Sequence, residues 1–183
     1  TWLGETSVIP NPVPNVSAST DRDRTQFLLM GRSTPMKGQA IAMEATRILR
    51  KSGLDVTLHL TGMTHSEPGI TGHGWVEGDE KERLLSTCGT LLSPSKWEGL
   101  SMSVIEAMAR GMPVLASKAS DGVFEKSGKI IDSTADAYSE IMREMIEGKA
   151  WENMAKAGPK EAEKYKLEHV ILMWGRLYDE VAK

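Results

Sequence analysis

Apolar positions along the chain follow two rhythms. Residues 26–30 (QFLLM) form a nearly continuous apolar run that Gly31 stops, as expected for a strand covered on both faces. Residues 38–51 then carry Ile41, Ala45, Ile48 and Leu49 at helical spacing, ending near Gly53. Residues 56–60 (VTLHL) alternate as a strand does, and Thr61-Gly62 closes it. Asp79 followed by Glu82 matches a capping box, with Leu84, Leu85 and Cys88 continuing the apolar side of a helix up to Gly89. Beyond it the pattern predicts a strand at 90–92, a helix over 102–110 stopped by Gly111 and Pro113, strands at 113–116 and 129–131, and helix from Ala135 onward. Residues 7–9 read as a short strand closed by Pro10-Asn11-Pro12. Residues 15–24 read as a polar loop, and 64–74, rich in Gly, Thr and His, as another.

Strands alternating with helices at these distances call for right-handed crossovers and a Rossmann-like, doubly wound parallel sheet flanked by helices. In such sheets a ligand sits beyond the carboxyl ends of the strands. The candidates are therefore Gly31 and Arg32, Thr61 and Gly62, residues 93–98, and residues 117–122. The turn GRSTPMKG (31–38) brings two cations, Arg32 and Lys37, to that crevice.

Composition narrows the partners. With 183 residues, 40% hydrophobic and 26% charged, the chain fits a single domain over 1–183. A net charge of -3 argues against nucleic acid or an anionic membrane as the main partner. The lone Cys88, with no signal peptide and no apolar run of bilayer length, points to the cytoplasm. The start at Thr1 is compatible with a piece of a longer protein. Four histidines without ligand spacing predict no metal site. Asp21-Arg22-Asp23 matches a DxD pattern but precedes a strand, so it reads as a solvated loop. Neither GxGxxG after the first strand nor a phosphate loop ending GK[ST] is present, and no cofactor is predicted.

The richest stretch is 94–117, PSKWEGLSMSVIEAMARGMPVLAS. Gly99, Leu100 and Ser101 open a helix whose free N–H groups and dipole suit an anion. Together with Arg32 and Lys37 they suit a diphosphate, since charge-assisted hydrogen bonds contribute about 1.5–3 kcal/mol each. Carboxylates repel phosphate, so Glu98 and Glu106 are better suited to accept bonds from sugar hydroxyls. Two rival readings exist for them: a general acid and base pair, and, for Glu106, a capping box with Ser103.

These residues carry a family resemblance. VIPNPV (8–13), GRSTPMKG, GHGWV (72–76), the 94–117 stretch and DGVFE (121–125) resemble the C-terminal, donor-binding domain of a retaining family 4 glycosyltransferase, one half of a GT-B fold. The resemblance implies that Arg32 and Lys37 bind the diphosphate of a UDP-, GDP- or ADP-linked donor and that Glu98 contacts the transferred hexose. Glu106 is implied to hold the ribose, the amides of Gly99, Leu100 and Ser101 the sugar and phosphate, and Gly74, Trp75 and Val76 the wall beside the base. Ser101 stands where many members have glycine, but still supplies an amide. The acceptor would be bound by an N-terminal domain, leaving this chain alone inactive. The rival functions are a non-catalytic nucleotide-sugar-binding module and another GT-B enzyme, such as a sugar-nucleotide epimerase or a phosphorylase.

Remaining features have plainer readings. His59 and His73 read as structural or solvated, Cys88 as a small buried hydrophobe, and Trp75 and Trp97 as packing residues or pocket walls. Over 167–181, Leu167, Val170, Met173, Trp174, Leu177, Tyr178 and Val181 form an apolar stripe. It either packs on this domain's own sheet or, as the resemblance implies, crosses to another domain and is partly exposed here.

Overall fold

Strand β5 (Cys88–Ser93) is buried along its whole length, as a central strand covered on both faces must be. In the computed structural model, which describes residues 8–182, it lies inside a seven-stranded sheet. The other strands are β1 (Asp23–Leu29), β2 (Thr57–Leu60), β3 (Met63–Glu67), β4 (Ile70–Gly74), β6 (Val114–Ala116) and β7 (Gly128–Ile130), in the order β3-β4-β2-β1-β5-β6-β7. All neighbours pair in parallel except β3, which runs antiparallel to β4. The chain winds outward from β1 through β2 to β4, then returns to β5 beside β1 and winds the other way. The switch point lies between β1 and β5.

The pleat divides two cores. Phe27 and Leu29, Leu92 and Leu115 face one side, where helices α1 (Gln39–Lys51) and α4 (Ala135–Glu147) cover them with Ala42, Ala45, Leu49, Tyr138 and Met142. Leu28, Leu91, Val114 and Ala116 face the other, against Leu84 and Leu85 of α2 (Gly78–Thr87) and Val104, Ile105 and Met108 of α3 (Met102–Ala109). Helix α5 (Ala150–Ala162) contributes Trp151 to the first core and Ala162 to the second, and α6 (Leu167–Val181) follows it. Gly38, at φ 72°, caps α1 where a Cβ would collide with the Pro94 carbonyl, so the β1–α1 turn and the β5–α3 loop come close only because it is glycine.

The doubly wound parallel sheet is as expected, but several details differ. Residues 64–74 are not a loop: they form most of the β3–β4 hairpin, turned at Pro68-Gly69, where Gly69 takes φ 79°. The strands are half-exposed and built from Thr, His, Ser and Gly, so their pairing rather than their hydrophobicity makes them strands. Val8 and Ile9 are not in a strand, and Ser7 lies outside the described residues; Val13 instead bridges Lys166. Asp79 caps nothing, because α2 starts at Gly78 with Glu77 at its N-cap and no side-chain cap bond.

Arg22 also departs from its solvated reading. It donates to the carbonyls of Leu85 and Cys88, at the end of α2, and of Arg110, at the end of α3, at 2.7, 2.8 and 2.7 Å. Its burial brings the guanidinium pKa down to about 10. The stripe of α6 is largely bare: only Val170 is buried, Met173 and Leu177 are half-buried, and Leu167, Trp174, Tyr178 and Val181 are exposed, as are the nearby Ile171 and Leu172. No described helix is long and apolar enough to cross a membrane.

Candidate functional site

A cleft of about 400 Å³ opens at the switch point. Met30, Gly31 and Arg32 enter it from the end of β1, Thr61 from the end of β2, Trp75 and Val76 from the end of β4, and Glu98 from the loop after β5. Leu100, Ser101, Met102, Ser103 and Glu106 line it from the start of α3. Lys37 reaches in from the β1–α1 turn and Lys81 from the second turn of α2. Gly74 and Gly99 stand next to lining residues without lining the cleft themselves. A Cβ on Gly99 would meet nothing within 4 Å, so no protein contact demands glycine there.

The charged groups are paired across elements. Lys37 Nζ donates to Glu98 Oε1 at 2.6 Å, and the Ser95 hydroxyl donates to the same oxygen at 2.7 Å. Lys81 Nζ donates to Glu106 Oε1 at 2.8 Å. Each carboxylate therefore has one oxygen held by a lysine, while the second has no hydrogen-bond partner among the described residues. Glu106 does not cap its own helix: Ser101 and Ser103 share a hydroxyl contact of 3.1 Å instead. Arg32 is exposed and has no ion pair among the described residues, although Gln39 Nε2 pins its carbonyl at 2.8 Å. The Ser117 hydroxyl donates to the Ser95 carbonyl, and Gly31 N–H donates to Thr61 Oγ1 at 3.0 Å, fixing the loops that carry these groups.

Other expected residues lie elsewhere. Gly62, residues 93–97 and residues 117–122 do not line the cleft, and in the neighbouring segment Val123 and Phe124 are core residues. Trp97 is 70% exposed and packs in neither core, against its packing or pocket-wall reading. Trp75 is equally exposed but lines the cleft, its indole N–H donating to Glu77 at 2.7 Å. His59 and His73 form a hydrogen-bonded pair at 3.0 Å between β2 and β4. Gln26 lies 3.3 Å beyond His59, and Glu80 3.3 Å beyond His73. Burial, then the neighbouring His73, lowers the His59 pKa to about 4. Burial pushes the Cys88 thiol up to about 12, so it is inert. No cluster of three metal-ligating side chains occurs among the described residues.

Lys81 is the charged cleft residue that sequence reasoning missed, along with the uncharged Met30, Met102 and Ser103. With β4 read as loop, α2 did not follow a strand end, and its first turns were not assigned to the crevice.

Residues 24–148 match the family described as Glycosyl transferases group 1. A curated relative, an uncharacterised 41.2 kDa protein in the cps region of Klebsiella pneumoniae, is 22% identical over 129 residues, 61% of this chain and 36% of the relative. The pneumococcal O-GlcNAc transferase GtfA, solved in complex with UDP and GlcNAc, aligns with a TM-score of 0.82 at 17% identity, over 93% of this chain and 38% of that one. The C-terminal domain of a glycosyl transferase group 1 family protein, LpcC, from Francisella tularensis aligns with a TM-score of 0.68 at 17% identity, over 82% of this chain and 88% of that domain. Identities this low show the shared fold, that of one Rossmann-like domain of GT-B glycosyltransferases. The chain spans about a third of the curated relative's length.

Proposed function

The chain belongs to the group 1 glycosyl transferases, and from that membership we propose that it is the donor-binding domain of a retaining family 4 enzyme, one that moves a hexosyl group from a nucleoside diphosphate sugar to an acceptor. The observation that carries this reading is a single cleft, at the switch point of a parallel sheet, joining Arg32 and Lys37 to Glu98, Glu106 and the first turn of α3. Arg32 and Lys37 take the diphosphate, assisted by the amides of Gly99, Leu100 and Ser101 and the helix dipole. Glu98 accepts from hydroxyls of the transferred sugar and Glu106 from the ribose, while Gly74, Trp75 and Val76 flank the base. The complex of the pneumococcal transferase with UDP and GlcNAc supports a nucleotide-sugar donor.

Catalysis in this reading is charge stabilisation on the leaving group. As the bond from the sugar to the diphosphate breaks, negative charge grows on the departing phosphate oxygen, which Arg32, Lys37 and the helix N-terminus stabilise. The acceptor attacks the oxocarbenium-like sugar from the same face. An N-terminal domain would bind that acceptor, and the bare apolar stripe of α6 is the surface proposed to pack on it. Without that partner the domain binds donor weakly and transfers little.

The test is an NMR titration of the domain with UDP-, GDP- and ADP-sugars, followed at 72–76 and 98–101. Arg32→Ala should weaken nucleotide binding by about ten- to a hundredfold, and unchanged affinity would remove Arg32 from the site. Joined to an N-terminal half, the protein should release nucleoside diphosphate when acceptor is added. Persistent inactivity with intact donor binding would leave a binding module.

A further inference from the structure

Glu106 sits on a helix whose neighbouring residues Val104, Ile105, Ala107 and Met108 are all core residues, and its own side chain is only 12% exposed. A carboxylate in that setting costs free energy unless it is paired, and an apolar residue would pack there as well. Its partner is Lys81, 30% exposed, which crosses from α2 to bond Oε1 at 2.8 Å. The contact is not needed to hold the two helices together: Glu82, next to Lys81, already ties α2 to α3 through two hydrogen bonds to Arg110 Nη2, at 2.7 and 2.8 Å, and a third from Arg110 Nε. Unlike that clamp, both members of the Lys81–Glu106 pair line the cleft.

Lys81 also decides the sign of the cleft. Arg32 and Lys37 alone would be cancelled by Glu98 and Glu106, leaving no net attraction for a diphosphate. Lys81 supplies the excess positive charge.

We propose that Lys81 is a positioning residue of the nucleoside subsite, holding Glu106 by one oxygen so that the other accepts a ribose hydroxyl. The inference rests on the donor-binding reading above. An ammonium suits the role because its three donors let it keep Glu106 while meeting ligand acceptors beside it.

The experiment compares a nucleoside diphosphate and its 2′-deoxy and 3′-deoxy analogues, using whichever of UDP, GDP and ADP the wild-type domain binds, by calorimetry. Wild type should lose about tenfold in affinity on removal of the recognised hydroxyl. In Lys81→Met that loss should shrink below about threefold, with binding of the parent nucleotide weakened about tenfold, and Lys81→Arg should restore both. Thermal melts confirm that each variant is folded. A Lys81→Met domain that keeps the full hydroxyl penalty overturns the proposal, even if its overall affinity falls. If Arg32→Ala and Glu106→Gln also leave binding untouched, the donor-binding reading itself fails, which separates the two outcomes.

Discussion

Helix α3 meets α2 through two ion pairs, one helical turn apart on α3, that look alike in sequence and do different things. Near the C-terminal end Arg110 is 3% exposed, grips both oxygens of Glu82 and donates to the Glu106 carbonyl at 3.0 Å. Its own carbonyl accepts from Arg22. Every one of these bonds serves the fold, and Arg22, Glu82 and Arg110 all lie outside the cleft lining. Lys81 and Glu106, one residue and one helical turn away, make a single contact that opens onto the cleft. The difference teaches that geometry and surplus bonding capacity, rather than residue type, separate a structural pair from a candidate binding pair.

The contrast can be broken first at its structural end. Arg110→Met should cost about 2–3 kcal/mol in urea denaturation, since several charge-assisted bonds in a buried setting go at once, while nucleotide affinity of the folded protein stays unchanged. A loss near zero would show that the network is ornamental.

The His59–His73 pair, on strands flanking the cleft wall, sharpens the contrast with a pH-dependent effect. His59 is depressed to about 4, so the native state stays neutral while the unfolded chain takes up a proton below its ordinary value of about 6.5. Its contribution is present above about pH 6.5 and is lost as pH falls toward 4, on the order of 1–2 kcal/mol after allowance for partial exposure. His59→Gln should flatten that slope in melts taken across the interval. An unaltered slope would assign the acid sensitivity to other groups.

The smallest effect belongs to the cleft end. Lys81→Met should lower stability by only about 1 kcal/mol, because a single hydrogen bond is lost and the cleft admits water to the freed Glu106 oxygen. A cost equal to that of Arg110→Met would make the two pairs structural equivalents and erase the distinction.

How much of this was readable beforehand differs by region. The strands with continuous apolar runs, Phe27 to Leu29 and Leu91 to Leu92, announced themselves, as did α1 with its spaced Ile41, Ala45 and Leu49. Glu98 and the two cations of the β1–α1 turn were located by strand-end logic and Glu106 by the 94–117 stretch it shares with Glu98, and the structure brings Arg32, Lys37, Glu98 and Glu106 to one cleft. The β3–β4 hairpin was invisible because a half-exposed edge built from His65, Ser66, Thr71 and Gly72 has no apolar rhythm, only hydrogen-bond partners. Arg22 looked solvated because its acceptors are carbonyls 63, 66 and 88 residues away.

By itself, then, the sequence determined the winding of the sheet, through the period at which apolar residues recur, and the chemistry available after each strand. Only the tertiary structure decided which charges meet: Lys37 with Glu98 across 61 positions, Lys81 with Glu106 across 25, and Arg110 with Glu82 across 28. It also left the face of α6 bare. Periodicity is a local property of the chain, whereas ion pairs and coverage depend on how close separate elements approach. That closeness is fixed by packing, down to the missing Cβ of Gly38.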